Sequence, residues 1–309
     1  MKFEVVAKEW FDSKIGLVKN STLSTYHNNL NRHILPYWSG FDIETFKKSD
    51  AQLFIGRMFQ KEALSMKSVK DLEILLKQIL VYAVDEYDLN IPSTFKLKYP
   101  TANLVAKKEE LQIYSLDEQK KVMQYFKENP SYRTLGVIIV ICTGLRIGEI
   151  CGLRWSDISF EDNTLQVNRT VERIVNYSTG KTEVVIQSPK TINSQRIVPF
   201  PNWLADILAT FAAPCRSDYY VISGSDKLIE PRTYREYYKD LFLNKVGFSR
   251  CLKFHGLRHT YASALITGGA DAKSVSAILG HNTVSTTLNI YTHSTLESRR
   301  KCANMIMLE

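Results

Sequence analysis

Apolar residues recur at helical spacing over most of the first ninety positions. Phe3, Val6, Ala7, Trp10 and Phe11 fall on one face of a helix, as do Leu72, Leu75, Leu76, Ile79, Leu80 and Ala83. Between them, Ser21-Thr-Leu-Ser-Thr-Tyr26 reads as a helix opening with hydroxyl caps and ending before Pro36. The pattern lapses from Asn90 to Lys108, where Pro92, Pro100 and several lysines predict a basic linker. Helix resumes near Ser115, whose following Asp117 and Glu118 suit a helix N-terminus. An apolar run, Leu135 to Cys142, then leads into a short helix. Beyond it the period changes. Thr164–Val171, Glu183–Gln187 and Arg196–Phe200 alternate or carry β-branched residues, with turn signals at Ser178-Thr-Gly180 and Thr191-Ile-Asn-Ser194. These predict a small antiparallel three-stranded sheet. After Trp203 the pattern is helical to the end. The expected fold is mainly α: a helical domain over 1–89, a linker over 90–111, and a mixed α/β domain over 112–309.

Composition narrows the class. The chain has 309 residues, 44% of them hydrophobic, enough for two domains with real cores. A net charge of +8 favours a polyanionic partner. Residues 1–105 hold 14 basic and 12 acidic side chains against 26 and 20 in the remainder, so phosphate contacts are expected mainly from the C-terminal two-thirds. Five cysteines without CxxC spacing suggest neither a disulfide framework nor a zinc site. Cys142, inside the apolar run, reads as a buried thiol. The N-terminus lacks a signal-peptide core, and no apolar stretch approaches the ~20 residues a membrane span needs. A reducing, cytoplasmic setting is expected, with no membrane, metal or cofactor.

Four segments carry candidate chemistry. In Thr143-Gly-Leu-Arg-Ile-Gly-Glu149, Thr143 can cap a helix that places Arg146 and Glu149 on one face. Glu149 can then orient the guanidinium as a phosphate clamp, and a plain surface ion pair is the alternative. In His255-Gly-Leu-Arg258, the imidazole and guanidinium share a helix face while Leu257 and Tyr261 can pack inward. In the stretch from Ala277 to His293, Gly280 closes one helix, Asn282 or Thr283 caps the next, His281 falls in the turn and Tyr291 near the second helix's end. Two short helices about a glycine also suit a helix-turn-helix DNA reader, with Tyr291 then a core or phosphate-contacting aromatic. Lys190 lies in the Ser188–Phe200 connection at an expected hairpin tip, where a solvent-facing lysine is the ordinary reading.

Together these segments resemble the tyrosine recombinases, including phage and transposon integrases and the Xer recombinases. The resemblance runs from about residue 112 to the end and is carried by TGLRIGEICGLRW, SPKT…QRIVPF, HGLRHTYAS and LGHNTVSTTLNIYTH. The N-terminal helices look like the family's core-binding domain. The resemblance implies that Arg146 and Arg258 grip the scissile phosphate with Glu149 in support, and that Lys190 protonates the leaving 5′-oxygen. It gives His255 the general acid/base position, His281 a bond to a non-bridging oxygen, and Tyr291 the nucleophilic attack. It further implies a 3′-phosphotyrosyl intermediate formed without metal or ATP, and a homotetramer on two duplexes. The apolar tail of Leu296, Cys302, Met305, Ile306 and Met307 can dock on a neighbouring protomer or pack on its own. Double-stranded recombination sites are the expected partner, with a directionality factor or host DNA-bending protein as further ones. The ending Leu-Asn-Ile-Tyr-Thr-His is closer to mobile-element integrases than to Xer proteins. Xer-type dimer resolution, a type IB topoisomerase and a catalytically silent DNA-binding regulator are the competing readings.

Overall fold

The apolar stripes of the first ninety residues become the buried faces of a helical unit. A computed structural model describes residues 1–60, 62–99, 112–177, 179–188, 195–281 and positions 283, 284 and 288. They group into two compact units: 1–108 with 174–183, and 109–173 with 184–309.

In the first unit, α1 (Phe3–Ser13) buries Phe3, Val6, Ala7, Trp10 and Phe11, the stripe its spacing predicts. Helix α2 (Asn20–Asn29) departs from expectation at both ends. Lys19 precedes it without a side-chain cap, so the hydroxyls of residues 21–25 lie inside its first turns. Nor does it stop before Pro36: the chain widens into a π turn, Leu30–Ile34, and continues as α3 (Leu35–Trp38). Pro36 has no N–H to return to the carbonyl four residues back, and a π turn placed just before it accommodates the ring without ending the helix. Trp38 then gathers Phe3, Phe41 and Phe46 at ring separations of 5.5, 5.0 and 5.5 Å. Helices α4 (Lys48–Gln60) and α5 (Met66–Tyr87) complete the bundle, with α1 and α4 both packed on α5. Ser65 caps α5 by accepting from the Ser68 N–H. Of the expected linker, the described residues 90–99 set Ile91, Phe95, Leu97 and Tyr99 against this core.

The second unit is built around the apolar run. Helix α6 (Leu116–Glu128) opens with a full capping box between Ser115 and Glu118. Helix α7 (Tyr132–Thr143) follows, hydrophobic nearly all round and therefore central, with Leu135, Val137, Ile138, Ile139 and Val140 all buried. Thr143 does not cap the next helix as the sequence suggested. It is the last residue of α7, its hydroxyl donating to the Ile139 carbonyl at 2.6 Å, because Gly144 at φ 65° turns the chain out of the helix.

Arg146 therefore takes the N-cap position of α8 (Ile147–Gly152). Gly148 and Gly152, four apart, form a bare face on α8. A Cβ on Gly148 would sit 2.4 Å from the Thr170 hydroxyl and 2.7 Å from the Val171 carbonyl oxygen, so only glycine admits the strand there.

The strands number β1 (Ile158–Ser159), β2 (Thr164–Gln166), β3 (Thr170–Val175), β4 (Thr182–Gln187) and β5 (Ile197–Pro199). Their pairing refines the expected sheet. Strands β1, β2 and β5 form one antiparallel sheet with Leu165 opposite Val198, while β3 and β4 form a separate ribbon. The run expected as one strand, 164–171, is interrupted at 167–169. There Asn168 and Arg169 turn aside to donate to the Asp157 carboxylate at 2.9 and 2.5 Å.

Helices α9 (Asn202–Ala212), α10 (Pro231–Asp240), α11 (His255–Thr267) and α12 (Ala272–Leu279) finish the unit. Helix α11 packs on α7 and α12, and α10 on α7 and α8. Among the described residues, no helix is long and apolar enough to cross a membrane.

Candidate active site

Five of the polar residues singled out in the sequence, Arg146, Glu149, His255, Arg258 and His281, come together where α8, α11 and α12 meet, and the C-terminus of α12 is the hub. Gly280 ends that helix at φ 62°, with its own N–H bonded to the Ala277 carbonyl and the His281 N–H to the Ser276 carbonyl. This closing motif leaves the next carbonyls in line without helical partners, at the negative end of the helix dipole. Three arginines fill them in order. Arg196 Nε donates to the Ile278 carbonyl at 2.5 Å, Arg258 Nη2 to Leu279 at 2.5 Å, and Arg146 Nη2 to Gly280 at 2.9 Å.

Each arginine reaches the hub from a different element. Arg258 stands in the first turn of α11 with its side chain among the core, 2% exposed, and also donates to the Gly144 carbonyl at 3.0 Å. The turn at Gly144 thus ends α7, starts the approach to α8 and anchors Arg258. A Cβ at Gly144 would lie 2.6 Å from the Tyr261 ring, so this junction has no room for a side chain. Arg146 is more open, its side chain 36% exposed, and donates through Nη1 to Glu149 at 2.7 Å.

Glu149 is the buried counter-charge. Its carboxylate accepts from the Arg146 N–H at 2.8 Å, and from Arg196 through two bonds of 3.0 Å. Burial alone would push its pKa up, but the Arg196 and Arg146 guanidiniums outweigh that and hold it down at about 2.

The histidines line the same site. His255 begins α11 with its ring edge-on to His259 at 4.7 Å, and His281 follows directly on Gly280. Partial desolvation lowers the His255 pKa to about 4, with His259, Arg258 and Arg146 acting in the same sense. Desolvation likewise lowers His281 to about 4, helped by Arg258, Arg146 and the other two imidazoles. A site this rich in fixed cations keeps its imidazoles neutral and offers net positive charge to an anion. That is the electrostatic character a phosphodiester in mid-displacement requires.

A stability consequence follows with a definite sign. Both imidazoles are harder to protonate in the folded chain, so the unfolded chain gains protons first as pH falls. Stability should decline from about pH 6.5 towards pH 4 on their account, and Glu149 should add a further decline from about pH 4.5 towards pH 2. Denaturant midpoints across this range would check it. The double substitution His255→Gln, His281→Gln should flatten the upper window, and an unchanged slope there would contradict the assignment.

The structure thus brings together Arg146, Glu149, His255, Arg258 and His281 of the residues named from sequence. Lys190 and Tyr291 lie outside the described residues, as does the tail expected to dock on a neighbour. Strand β4 pairs with β3 and β5 with β2, so the connection carrying Lys190 links two different sheets. Arg196, His259 and the α12 carbonyls were missed. Arg196 stood within a quoted motif, but nothing in its spacing signals that it turns inward to a carboxylate 47 positions away. Cys142, expected as a buried thiol, is only half-buried against the core, and desolvation pushes its pKa up to about 12.

Comparison with known proteins gives the family of the chain. Residues 112–298 match the Phage integrase family, and residues 2–59 the phage integrase N-terminal SAM-like domain. The chain belongs to the phage integrase family and is a tyrosine recombinase. Among its relatives is a XerC-like tyrosine recombinase of Caldanaerobacter subterraneus subsp. tengcongensis, 32% identical, the match covering 82% of this chain and 69% of the relative. The ICEBs1 integrase of Bacillus subtilis is 25% identical over 90% of this chain and 75% of its own. In fold, the chain is similar to the Tn1549 transposon integrase solved in complex with a circular intermediate DNA, at a TM-score of 0.76 and 21% identity, covering 99% of this chain and 100% of that one.

Proposed function

We propose that this recombinase acts on the ends of a mobile element, cutting each strand with Tyr291 and rejoining it to a new partner. The observation that carries the reading is the three-carbonyl hub of α12, which holds Arg146 and Arg258 around one point with His255 and His281 beside them. In the proposed step the Tyr291 oxygen attacks phosphorus, and its phenolic proton passes to His255. Negative charge growing on the non-bridging oxygens is met by Arg146, Arg258 and His281, while the 5′-oxygen leaves with a proton from Lys190. The product is a 3′-phosphotyrosyl bond and a free 5′-hydroxyl, and the reverse attack by another 5′-hydroxyl restores the duplex. Phosphodiester energy is conserved in the tyrosyl bond, so joining needs no ATP. A tyrosine titrates near ~10 when unperturbed, and the cationic surroundings of this site favour its attack at neutral pH.

The reading further places the enzyme in the cytoplasm, as a homotetramer on two duplexes with the C-terminal tail as the link between protomers. Its partners are double-stranded recombination sites, with a directionality factor or host DNA-bending protein setting the outcome. The names of the ICEBs1 and Tn1549 integrases support the mobile-element assignment. The XerC-like relative favours a second reading, resolution of replicon dimers. Plasmids carrying either the element's joined ends or a chromosomal resolution site would separate the two by which substrate recombines.

The central test is covalent trapping. Wild type and Tyr291→Phe are incubated, without divalent metal, with nicked duplexes built from the DNA flanking the gene. A denaturant-stable protein–DNA adduct in the wild type alone is the expected result. Equal adduct from Tyr291→Phe would remove Tyr291 as nucleophile, and no adduct from bound wild type would favour a silent DNA binder.

A further inference from the structure

Arg196 sits just before β5, and its side chain is only 6% exposed. It cannot present itself to a DNA phosphate, yet it carries a full charge into the unit's interior beside the phosphate-binding residues. Its guanidinium grips Glu149 with both terminal nitrogens at 3.0 Å and the Ile278 carbonyl with Nε at 2.5 Å. Glu149 consequently accepts four hydrogen bonds: Oε1 from Arg146 Nη1 and Arg196 Nη1, and Oε2 from the Arg146 N–H and Arg196 Nη2. Two oxygens offer about four acceptor directions, so the carboxylate is saturated.

With Arg146 alone, one carboxylate oxygen would be held by a backbone N–H and the other only by a side chain that is 36% exposed and can swing. Held bidentately by a second, buried guanidinium, the carboxylate becomes a fixed post against which Arg146 is oriented. The third bond ties that post to the turn of α12 that also receives Arg146 and Arg258.

We propose that Arg196 is a positioning residue of the recombination site, acting through Glu149 and the α12 C-terminus to fix the aim of Arg146 at the scissile phosphate. This rests on the reading of Arg146 as a phosphate clamp. Arg196 touches no substrate, so its removal should leave duplex binding intact and slow the chemical step, since a small misplacement of a positioned group costs on the order of 10²-fold in rate. Glu149 should also lose its strongest partner and become protonatable at higher pH, giving the variants an acid-side fall in rate where the wild type is flat.

The experiment uses the full chain with the same nicked duplexes under single-turnover conditions. Arg196→Met and Arg196→Lys are compared with wild type, Arg146→Ala, Glu149→Gln and the double variant Glu149→Gln, Arg196→Met. Arg196→Lys keeps charge and length and serves where Arg196→Met does not fold, as judged by circular dichroism. The expected result is unchanged half-saturating protein concentration, a rate lower by about 10²-fold, and the new acid limb. Arg196→Met should add much less than its full loss on the Glu149→Gln background, because most of the effect passes through that carboxylate. Wild-type rates in folded Arg196 variants, a loss confined to binding, or a fully additive double variant would each overturn the proposal. If Arg196 variants cleave normally while Arg146→Ala is silent, this inference alone fails; if Arg146→Ala also cleaves normally, the clamp reading itself fails.

Discussion

Arg258→Ala is expected to lower single-turnover cleavage by about 10²–10³-fold while leaving binding to the same duplex nearly unchanged. The argument begins with burial. Arg258 is 2% exposed and bridges two backbone carbonyls, Gly144 at the end of α7 and Leu279 at the end of α12. Its charge is therefore oriented before any substrate arrives, and a preorganised donor of this kind loses nothing to reorganisation when charge develops on the non-bridging oxygens. Phosphate contacts elsewhere along the DNA supply most of the affinity, so binding should survive. Arg258→Lys should not rescue the rate, since a single ammonium cannot reproduce the planar fork that spans both carbonyls. The measurement is a cleavage time course at saturating enzyme, with a gel shift on the same duplex. Wild-type cleavage by a folded, DNA-bound Arg258→Ala protein would remove Arg258 from the site.

The second large effect is on stability. Glu149→Ala should destabilise the chain by about 3–5 kcal/mol, the typical cost of removing one partner from a buried ion pair. Glu149 is 5% exposed and Arg196, its bidentate partner, 9%, so water cannot replace the lost carboxylate without opening the unit. Arg146, at 36% side-chain exposure, can turn to solvent and contributes less to the loss. Denaturant titration near pH 7 reads the change, where the wild-type carboxylate is fully ionised. A loss under about 1 kcal/mol would mean that the Ile278 carbonyl is enough to hold Arg196 in place.

Much of this was legible without a structure, and the reasons are local. The stripes of α1 and α5 follow from a period of 3.6 against a core, and both helices bury the predicted faces. The helix start near Ser115 and the glycine that closes a helix at 280 are short-range chemistry, and both stand as the sequence suggested, the first with a capping box that the structure adds. Local rules failed where a distant partner intervened. Hydroxyls near 21–25 look like caps, yet the helix absorbs them and passes through Pro36 because the chain can widen into a π turn. The run 164–171 looks like one strand, yet Asp157 draws Asn168 and Arg169 out of it.

The sequence by itself determined the helical and sheet content and the family, since periodicity, capping and the motif order are properties of neighbouring residues. It also nominated Arg146, Glu149, His255, Arg258 and His281 as a set. The tertiary structure alone decided what holds that set together. Arg196, Arg258 and Arg146 lie 82, 21 and 134 positions from the carbonyls they share at the end of α12. A backbone carbonyl carries no side-chain signature, so its availability depends on where a helix ends and what packs there. Burial likewise decided which charges are fixed: the same guanidinium is a solvated surface group or a preorganised one according to whether a carboxylate and a helix terminus close around it.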